Sequence, residues 1–111
     1  MGISIDEIFE MICTRYGKTA FVEKAVRFKG EHKSLINKAI MDEHRLPGFE
    51  SEVDHVGYMD GCKVYFKDGS FVSCRFSGTE PLLRFMAEAE TEDAAKGYVK
   101  AFENLVDLIV R

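Results

Sequence analysis

Four residues between positions 75 and 79 have the chemical types that bind an oxyanion. Arg75 carries a permanent positive charge and a planar fork of N–H donors. Ser77 and Thr79 add hydroxyl groups, and Gly78 between them allows a close approach of the backbone or a positive φ. These types predict a local site for phosphate or a similar anion. The alternative from composition alone is ordinary turn chemistry, in which Ser, Gly and Thr only shape a loop.

The candidate residues lie at the predicted tip of a β-hairpin. Two apolar segments, Phe71–Phe76 and Leu82–Ala89, flank a polar break at Ser77–Pro81, and a break of this length predicts a hairpin loop. Because side chains alternate along a strand, Arg75 and Ser77 are expected on the same side. Successive N–H groups of the loop can then form a concavity that binds an anion without a helix N-terminus.

The run Arg-Phe-Ser-Gly-Thr-Glu-Pro-Leu-Leu-Arg at positions 75–84 resembles the phosphate-binding loop of the α-D-phosphohexomutases, the phosphoglucomutase/phosphomannomutase family. In that family the loop lies in the last of four domains. The resemblance covers most of the chain, so it implies that residues 1–111 are one domain, the C-terminal domain of such an enzyme. It also implies binding of the phosphate of a hexose phosphate. The contacts that it implies are Arg75, Ser77, Gly78 and Thr79.

Two further charged residues of this run have open roles. Arg84 is a tentative phosphate contact, and the alternative is that it holds Glu80 or Glu88. A carboxylate beside a phosphate repels it, so Glu80 is expected to have a structural role rather than a catalytic one.

The chemistry that the resemblance implies needs groups that this chain lacks. It requires a phosphorylated serine, Mg²⁺ held by an aspartate-rich loop and a separate sugar-recognition loop, whereas the sequence has no Ser-His-Asn-Pro, Asp-Gly-Asp-Gly-Asp or Gly-Glu-x-Ser-Gly-His segment. The parent protein is therefore expected to be the enzyme, an isomerase that performs intramolecular phosphoryl transfer. This chain alone is expected to be inactive and to bind no cofactor, with Mg²⁺ implied only for the parent.

The implied partners are a hexose phosphate and the remaining domains of the parent. Two alternatives stay open: a free-standing module that binds a phosphorylated ligand, and a docking domain whose loop binds an acidic group of another protein. The sequence does not decide which hexose phosphate is bound, nor the oligomeric state.

Composition argues against two other classes of partner. The net charge is −4, and the Lys and Arg residues are dispersed among acidic ones, which is not the pattern of a nucleic-acid-binding protein. No apolar run approaches the roughly 18 residues of a membrane span. The N-terminus lacks the features of a secretory signal, so a cytoplasmic location is expected.

The metal-ligating residue types are scattered along the chain. The three histidines, His32, His44 and His55, have no mutual spacing that suggests a metal site. The three cysteines, Cys13, Cys62 and Cys74, also lack ligand spacing and are predicted to be reduced and mostly buried. A disulfide between Cys62 and Cys74, as neighbours across a hairpin, is the minor alternative.

The first half of the chain predicts a helix, a strand and a second helix. A capping box and apolar residues at helical spacing predict a helix at Ser4–Tyr16. Ala20–Lys29 alternates as a strand does, and Lys24 interrupts the alternation, which suggests an edge strand. Glu31–Arg45 is predicted to be the second helix. Its buried stripe is expected to be Leu35, Ile36, Ala39 and Ile40.

The second half predicts a meander of strands followed by a helix. The strands are expected at Val53–Met59, Cys62–Phe66, Phe71–Phe76 and Leu82–Glu90, with Asp-Gly turns as the hairpin signals. Thr91 is a plausible N-cap for a helix that runs to about Val110. Gly97 within it suggests a close helix–sheet contact. The buried stripe is expected to be Ala95, Tyr98, Phe102, Leu105, Val106 and Ile109.

The order α-β-α-β-β-β-β-α predicts an α+β fold, an antiparallel-rich sheet of about four to five strands with helices on one face. The last domain of the phosphohexomutases is similar to the TATA-box-binding-protein-like fold, so the resemblance implies a related layout.

Overall fold

Six antiparallel strands form one sheet in the computed structural model, which describes residues 7–16, 19–49, 51–59, 61–78 and 81–110. For residues 7–16 only the backbone is described. In chain order the strands are β1 Glu7–Tyr16, β2 Thr19–Arg27, β3 Val53–Gly57, β4 Cys62–Phe66, β5 Phe71–Phe76 and β6 Leu82–Ala89. Their order across the sheet is β1-β2-β6-β5-β4-β3, and neighbouring strands are antiparallel. Strand β2 therefore lies directly beside the β5–β6 hairpin.

Helical segments follow β2 and β6. Their bounds are Gly30–His32 for a 3-10 turn, Lys33–Asn37 for helix α1, Lys38–Asp42 for a π-helical turn and Glu92–Val110 for helix α2. The predicted cap is confirmed, because the Thr91 hydroxyl accepts a hydrogen bond from the Ala94 N–H at 3.1 Å. Acidic residues in the first turn of α2 also suit the positive end of the helix dipole.

The core lies between the helices and one face of the sheet, here called the helix-covered face. Helix α2 packs against β2, β5 and β6. Phe85 of β6 and Phe102 of α2 are fully buried, with ring centroids 6.4 Å apart. Ile36 and Ile40 from the first helical region belong to the same cluster. Every residue of the predicted α2 stripe is buried, so the period of 3.6 residues identified this face correctly.

The opposite face of the sheet, here called the open face, is polar and partly exposed. On β5, Val72 and Cys74 belong to the core cluster, so Arg75 and its alternating neighbours point the other way. The strand registers place these residues together on the open face: Glu23 of β2, Lys63 and Tyr65 of β4, Phe71, Ser73 and Arg75 of β5, and Arg84, Met86 and Glu88 of β6.

The α+β class with an antiparallel sheet and helices on one face is confirmed, and it is consistent with the TATA-box-binding-protein-like layout. The predicted helix at Ser4–Tyr16 is wrong within the described residues, because Glu7–Tyr16 forms β1 and provides the sixth strand. Ile8 and Ile12 fit an alternating pattern as well as a helical one. Pairing with β2 along the whole segment decides between them, because it satisfies backbone hydrogen bonds through tertiary structure.

Three finer predictions about packing are also wrong. Strand β2 is internal, and Lys24 interrupts its pattern because its ammonium group pairs with Glu103 Oε1 of α2 at 2.8 Å. Leu35 is exposed, since the chain passes into a π-helical turn after α1 and only the later part of the predicted stripe is buried. Gly97 is exposed, and nothing lies within 4 Å of where its Cβ would be.

Candidate anion-binding site

The β5–β6 hairpin positions the candidate residues at one end of the open face. The Ser77 N–H donates to the Leu82 carbonyl at 2.9 Å, so strand pairing continues one residue beyond Phe76. Since side chains alternate, this pairing places Arg75 and Ser77 on the same face. Phe76 between them points to the other side, where its ring meets that of Phe28 edge-on at 5.6 Å. Phe76 thus packs the hairpin against Phe28, while Arg75 and Ser77 lie on the more exposed side.

Arg75 is exposed at this end of the open face. Among the described residues it makes no hydrogen bond or ion pair. Ser77 is half-buried, and Gly78 is exposed with nothing within 4 Å of where a Cβ would lie, so space is open beside the backbone. Thr79 and Glu80 lie outside the described residues. The structure therefore brings Arg75, Ser77 and Gly78 together, and it says nothing of the other two.

Gly61 supports the backbone beneath Arg75. It has a φ of +122°, and an added Cβ would lie 2.6 Å from Arg75 Cβ and 2.7 Å from the Cys74 carbonyl oxygen. A side chain at this position would collide with β5, so only glycine fits immediately before β4. The Asp-Gly pair at positions 60–61 signalled a turn in the sequence, but the contact of Gly61 with Arg75 needed the fold.

Arg84 faces Arg75 across the hairpin, and it has an acidic partner that the sequence did not suggest. The two arginines are directly opposed in the register of β5 and β6. Arg84 Nη1 lies 3.7 Å from Glu23 Oε2 of β2, on the side of β6 that faces away from β5. The proposed pairing with Glu88 is not seen, and Glu80 lies outside the described residues. Only the adjacency of β2 and β6 reveals Glu23.

A lysine from the first helical region also reaches this end of the hairpin. Lys33 Nζ lies 5.6 Å from the centroid of the Phe76 ring. The Phe28 N–H donates to the Pro81 carbonyl at 3.0 Å, which ties the end of β2 to the hairpin loop. Lys33 thus adds positive charge on the side of the hairpin opposite Arg75. No local motif in the sequence indicates this proximity.

Two thiols lie directly behind the site but are unsuited to nucleophilic chemistry at neutral pH. Cys62 and Cys74 are opposed in the register of β4 and β5, and both are buried free thiols. Burial raises the pKa of Cys62 to about 11, although a hydrogen bond with Tyr58 acts in the other direction. Burial, and then the neighbouring Cys62, raise the pKa of Cys74 as well. Both sulfurs therefore stay protonated, whereas a nucleophilic cysteine must be a thiolate.

The histidines occupy separate surroundings. His44 stacks on Tyr58 with ring centroids 4.1 Å apart, and His55 stacks on Tyr65 at 4.3 Å and pairs with Asp54. Within the part of the chain that the structure describes, no group of three or more His, Cys, Asp or Glu side chains is arranged to hold a metal ion. None of the described helices is long and apolar enough to cross a membrane.

A comparison of the sequence with models of known protein families identifies the class of protein to which this fold and hairpin belong. Residues 23–105 match the family model described as "Phosphoglucomutase/phosphomannomutase, C-terminal domain". This stretch includes most of β2, the strands from β3 to β6, the hairpin loop and most of α2. The chain therefore belongs to the phosphoglucomutase/phosphomannomutase C-terminal domain family.

Curated relatives extend the similarity to named mutases. A phosphoglucosamine mutase of Staphylococcus aureus (strain bovine RF122 / ET3-1) is 32% identical over 105 residues, which cover 95% of this chain and 22% of the relative. The phosphoglucosamine mutase of Staphylococcus carnosus is 33% identical over 77% of the chain and 18% of its own length. A phosphopentomutase of Thermococcus kodakarensis is 34% identical over 79% of the chain and 18% of its length. The chain spans about a fifth of the length of these relatives.

Proposed function

We propose that this chain is the phosphate-binding C-terminal domain of a phosphohexomutase, an isomerase that moves a phosphoryl group within a hexose phosphate. The observation that carries the proposal is the exposed guanidinium of Arg75, which has no partner among the described residues and shares its face with Ser77. The names of the two staphylococcal relatives support a hexose-derived phosphate as the ligand. The name of the Thermococcus relative indicates a pentose phosphate for that protein, so the hexose assignment is part of the proposal.

Each residue of the loop has a distinct part in this proposal. Arg75 pairs with phosphate oxygens, and Gly78 offers its backbone N–H in the open space beside it. Ser77 and Thr79 donate from their hydroxyl groups. Charge-assisted hydrogen bonds of this kind contribute roughly 1.5–3 kcal/mol each. A cradle of this type holds the phosphate without fixing the sugar, which suits an intermediate that must reorient between two half-reactions.

The remaining domains of the parent would supply the rest of the chemistry. The phosphorylated serine and the Mg²⁺ that the family chemistry implies would come from outside this chain, and the buried thiols of Cys62 and Cys74 offer no substitute nucleophile. This domain would close over the cleft and help to exclude water, which limits wasteful hydrolysis. Its reduced cysteines suit a cytoplasmic location.

Titration of the ¹⁵N-labelled chain with glucose 1-phosphate and with inorganic phosphate tests the binding role. The amides of Ser77 and Gly78 are expected to shift at millimolar ligand, since a few contacts give about −4 kcal/mol. Arg75→Ala should weaken this binding about tenfold or more, because one charge-assisted contact is lost. Lys67→Ala is the matched control, since it removes one positive charge at the other end of β5. Shifts confined to other surfaces would favour a docking domain and overturn the proposal.

The same substitution tests the role in the parent enzyme. Arg75→Ala is expected to raise KM and to lower kcat while the domain stays folded. Full activity of that variant would show that the loop does not hold the substrate.

A further inference from the structure

The two arginines of the hairpin are directly opposed, yet among the described residues only Arg84 has an ion-pair partner. Opposed residues of neighbouring antiparallel strands have Cβ atoms about 4.5–5.5 Å apart, and like charges at that separation repel. Arg84 Nη1 lies 3.7 Å from Glu23 Oε2, on the strand that flanks β6 on the side away from β5. The side chain of Arg84 is thereby directed away from Arg75. Arg75 itself has no partner among the described residues.

We propose that Glu23 sets the anion affinity of the site by holding Arg84 away from the ligand. This proposal rests on the proposed function, because it concerns the same phosphate site. While Glu23 holds Arg84, a ligand at the hairpin meets the guanidinium of Arg75, which has no partner among the described residues, and the opposed guanidinium of Arg84 is turned towards β2. Without that carboxylate, Arg84 has no acidic partner among the described residues near it and lies one cross-strand step from Arg75. Two guanidinium forks would then bind a phosphate dianion.

The arrangement keeps binding reversible. A substrate phosphate must leave this domain once in every half-reaction, and a site with two free arginines would retain it longer. Glu23 is half-buried, and one of its oxygens lies 3.7 Å from Arg84 Nη1, so it contacts Arg84 and not the ligand position beside Arg75. Glu23 is therefore a positioning residue, which acts on the ligand only through Arg84.

The experiment compares the affinities of the wild-type chain and the Glu23→Gln variant for glucose 1-phosphate, a phosphate monoester, at one fixed ionic strength, from the amide shifts of Ser77 and Gly78. We expect Glu23→Gln to tighten phosphate binding about three- to tenfold, which is the effect of one hydrogen bond of ordinary net strength. The gain should be larger at pH 7.5 than at pH 5.5, because the second ionisation of a phosphate monoester has a pKa near 6. A residue that only supported the fold would not produce this pH profile.

Two matched variants separate the role of Arg84 from a general change in charge. Glu88→Gln removes the same charge from the same face, four residues and about 13 Å further along β6, beyond the screening length of physiological salt. It should change affinity less than twofold. The double variant Glu23→Gln/Arg84→Gln should return affinity to about the wild-type value. A gain that persists in the double variant would overturn the proposal.

The outcomes distinguish this proposal from the one on which it depends. Phosphate binding by the wild type with unchanged or weaker binding by Glu23→Gln would overturn the role of Glu23 alone. Absence of any loop shift in the wild type would overturn both.

Discussion

The two faces of the sheet divide stability and binding between them. The helix-covered face is filled by aliphatic and aromatic side chains such as Phe85 and Phe102, which are fully buried. The open face carries charged side chains such as Glu23, Arg84 and Glu88, and Arg75 lies on it near the end of the β5–β6 hairpin. On β5 the division operates residue by residue, because Cys74 is buried and Arg75 is exposed. The alternation of a strand thus allows a binding residue to follow a core residue directly in the sequence, so that each can be changed with limited effect on the other.

The largest expected effect is on the helix-covered face. Phe102→Ala should lower the free energy of unfolding by about 3–5 kcal/mol, because it leaves a cavity beneath Phe85. That loss is a large fraction of the stability of a domain of this size. Urea unfolding followed by circular dichroism measures it. A loss below about 1 kcal/mol would mean that the contact between α2 and the sheet contributes little, and the contrast between the two faces would fail.

The charged pair within the helix-covered face should have an intermediate effect. Lys24 and Glu103 are each only 13% exposed and lie 2.8 Å apart. Lys24→Met should cost about 1–3 kcal/mol, because it leaves the Glu103 carboxylate half-buried without its partner. The double variant Lys24→Met/Glu103→Leu should recover most of the loss, as measured by the same urea titration. If the double variant is as unstable as the single one, Lys24 stabilises the fold in some way other than by pairing with Glu103.

Stability should also decrease at high pH because of the thiol behind the site. Burial raises the pKa of Cys62 from 9.0 to about 11, so the folded state holds this proton more tightly than the unfolded chain. Its contribution is therefore fully present below pH 9 and is lost as the pH rises towards 11. Urea midpoints between pH 8 and 11 should fall more steeply for the wild type than for Cys62→Ala. Parallel curves for the two proteins would contradict this prediction.

The smallest expected effect on stability is on the open face. Arg75→Ala should change the free energy of unfolding by less than about 0.5 kcal/mol, because the exposed side chain has no partner among the described residues. Thermal or urea unfolding tests this beside the Phe102→Ala variant. A destabilisation above 1 kcal/mol would show that Arg75 belongs to the framework of the hairpin, which would blur the division between the faces.

The parts of the molecule that could be predicted from sequence are those encoded locally. Strands β4 and β5 have the predicted bounds, since Asp-Gly turns and alternating residues define them over short distances. The candidate residues Arg75, Ser77 and Gly78 are nearly contiguous, so a short motif indicated them. Strand β1 was missed because its residues suit two periodicities, and the pairing with β2 that decides between them is a tertiary feature.

The remaining site residues come from other elements and could not be predicted in this way. Glu23 reaches Arg84 because β2 lies next to β6, and Lys33 reaches Phe76 through the path of the chain after β2. The polar residue Lys24 led to the wrong prediction that β2 is an edge strand, because its partner Glu103 is 79 residues away in the sequence. Such contacts depend on the order of strands across the sheet, which the local pattern does not specify.

Gly61, in the connection between β3 and β4, lies close to Arg75 in the β5–β6 hairpin. A replacement connection with a side chain at position 61 would push β5 outward and change the angle at which the arginine leaves the sheet. An engineer who grafts new loops onto this scaffold would therefore have to treat the segment that leads into β4 as part of the ligand's surroundings, although Gly61 offers the ligand no side chain. The need for glycine at position 61 thereby limits which new connections between β3 and β4 would leave Arg75 in place.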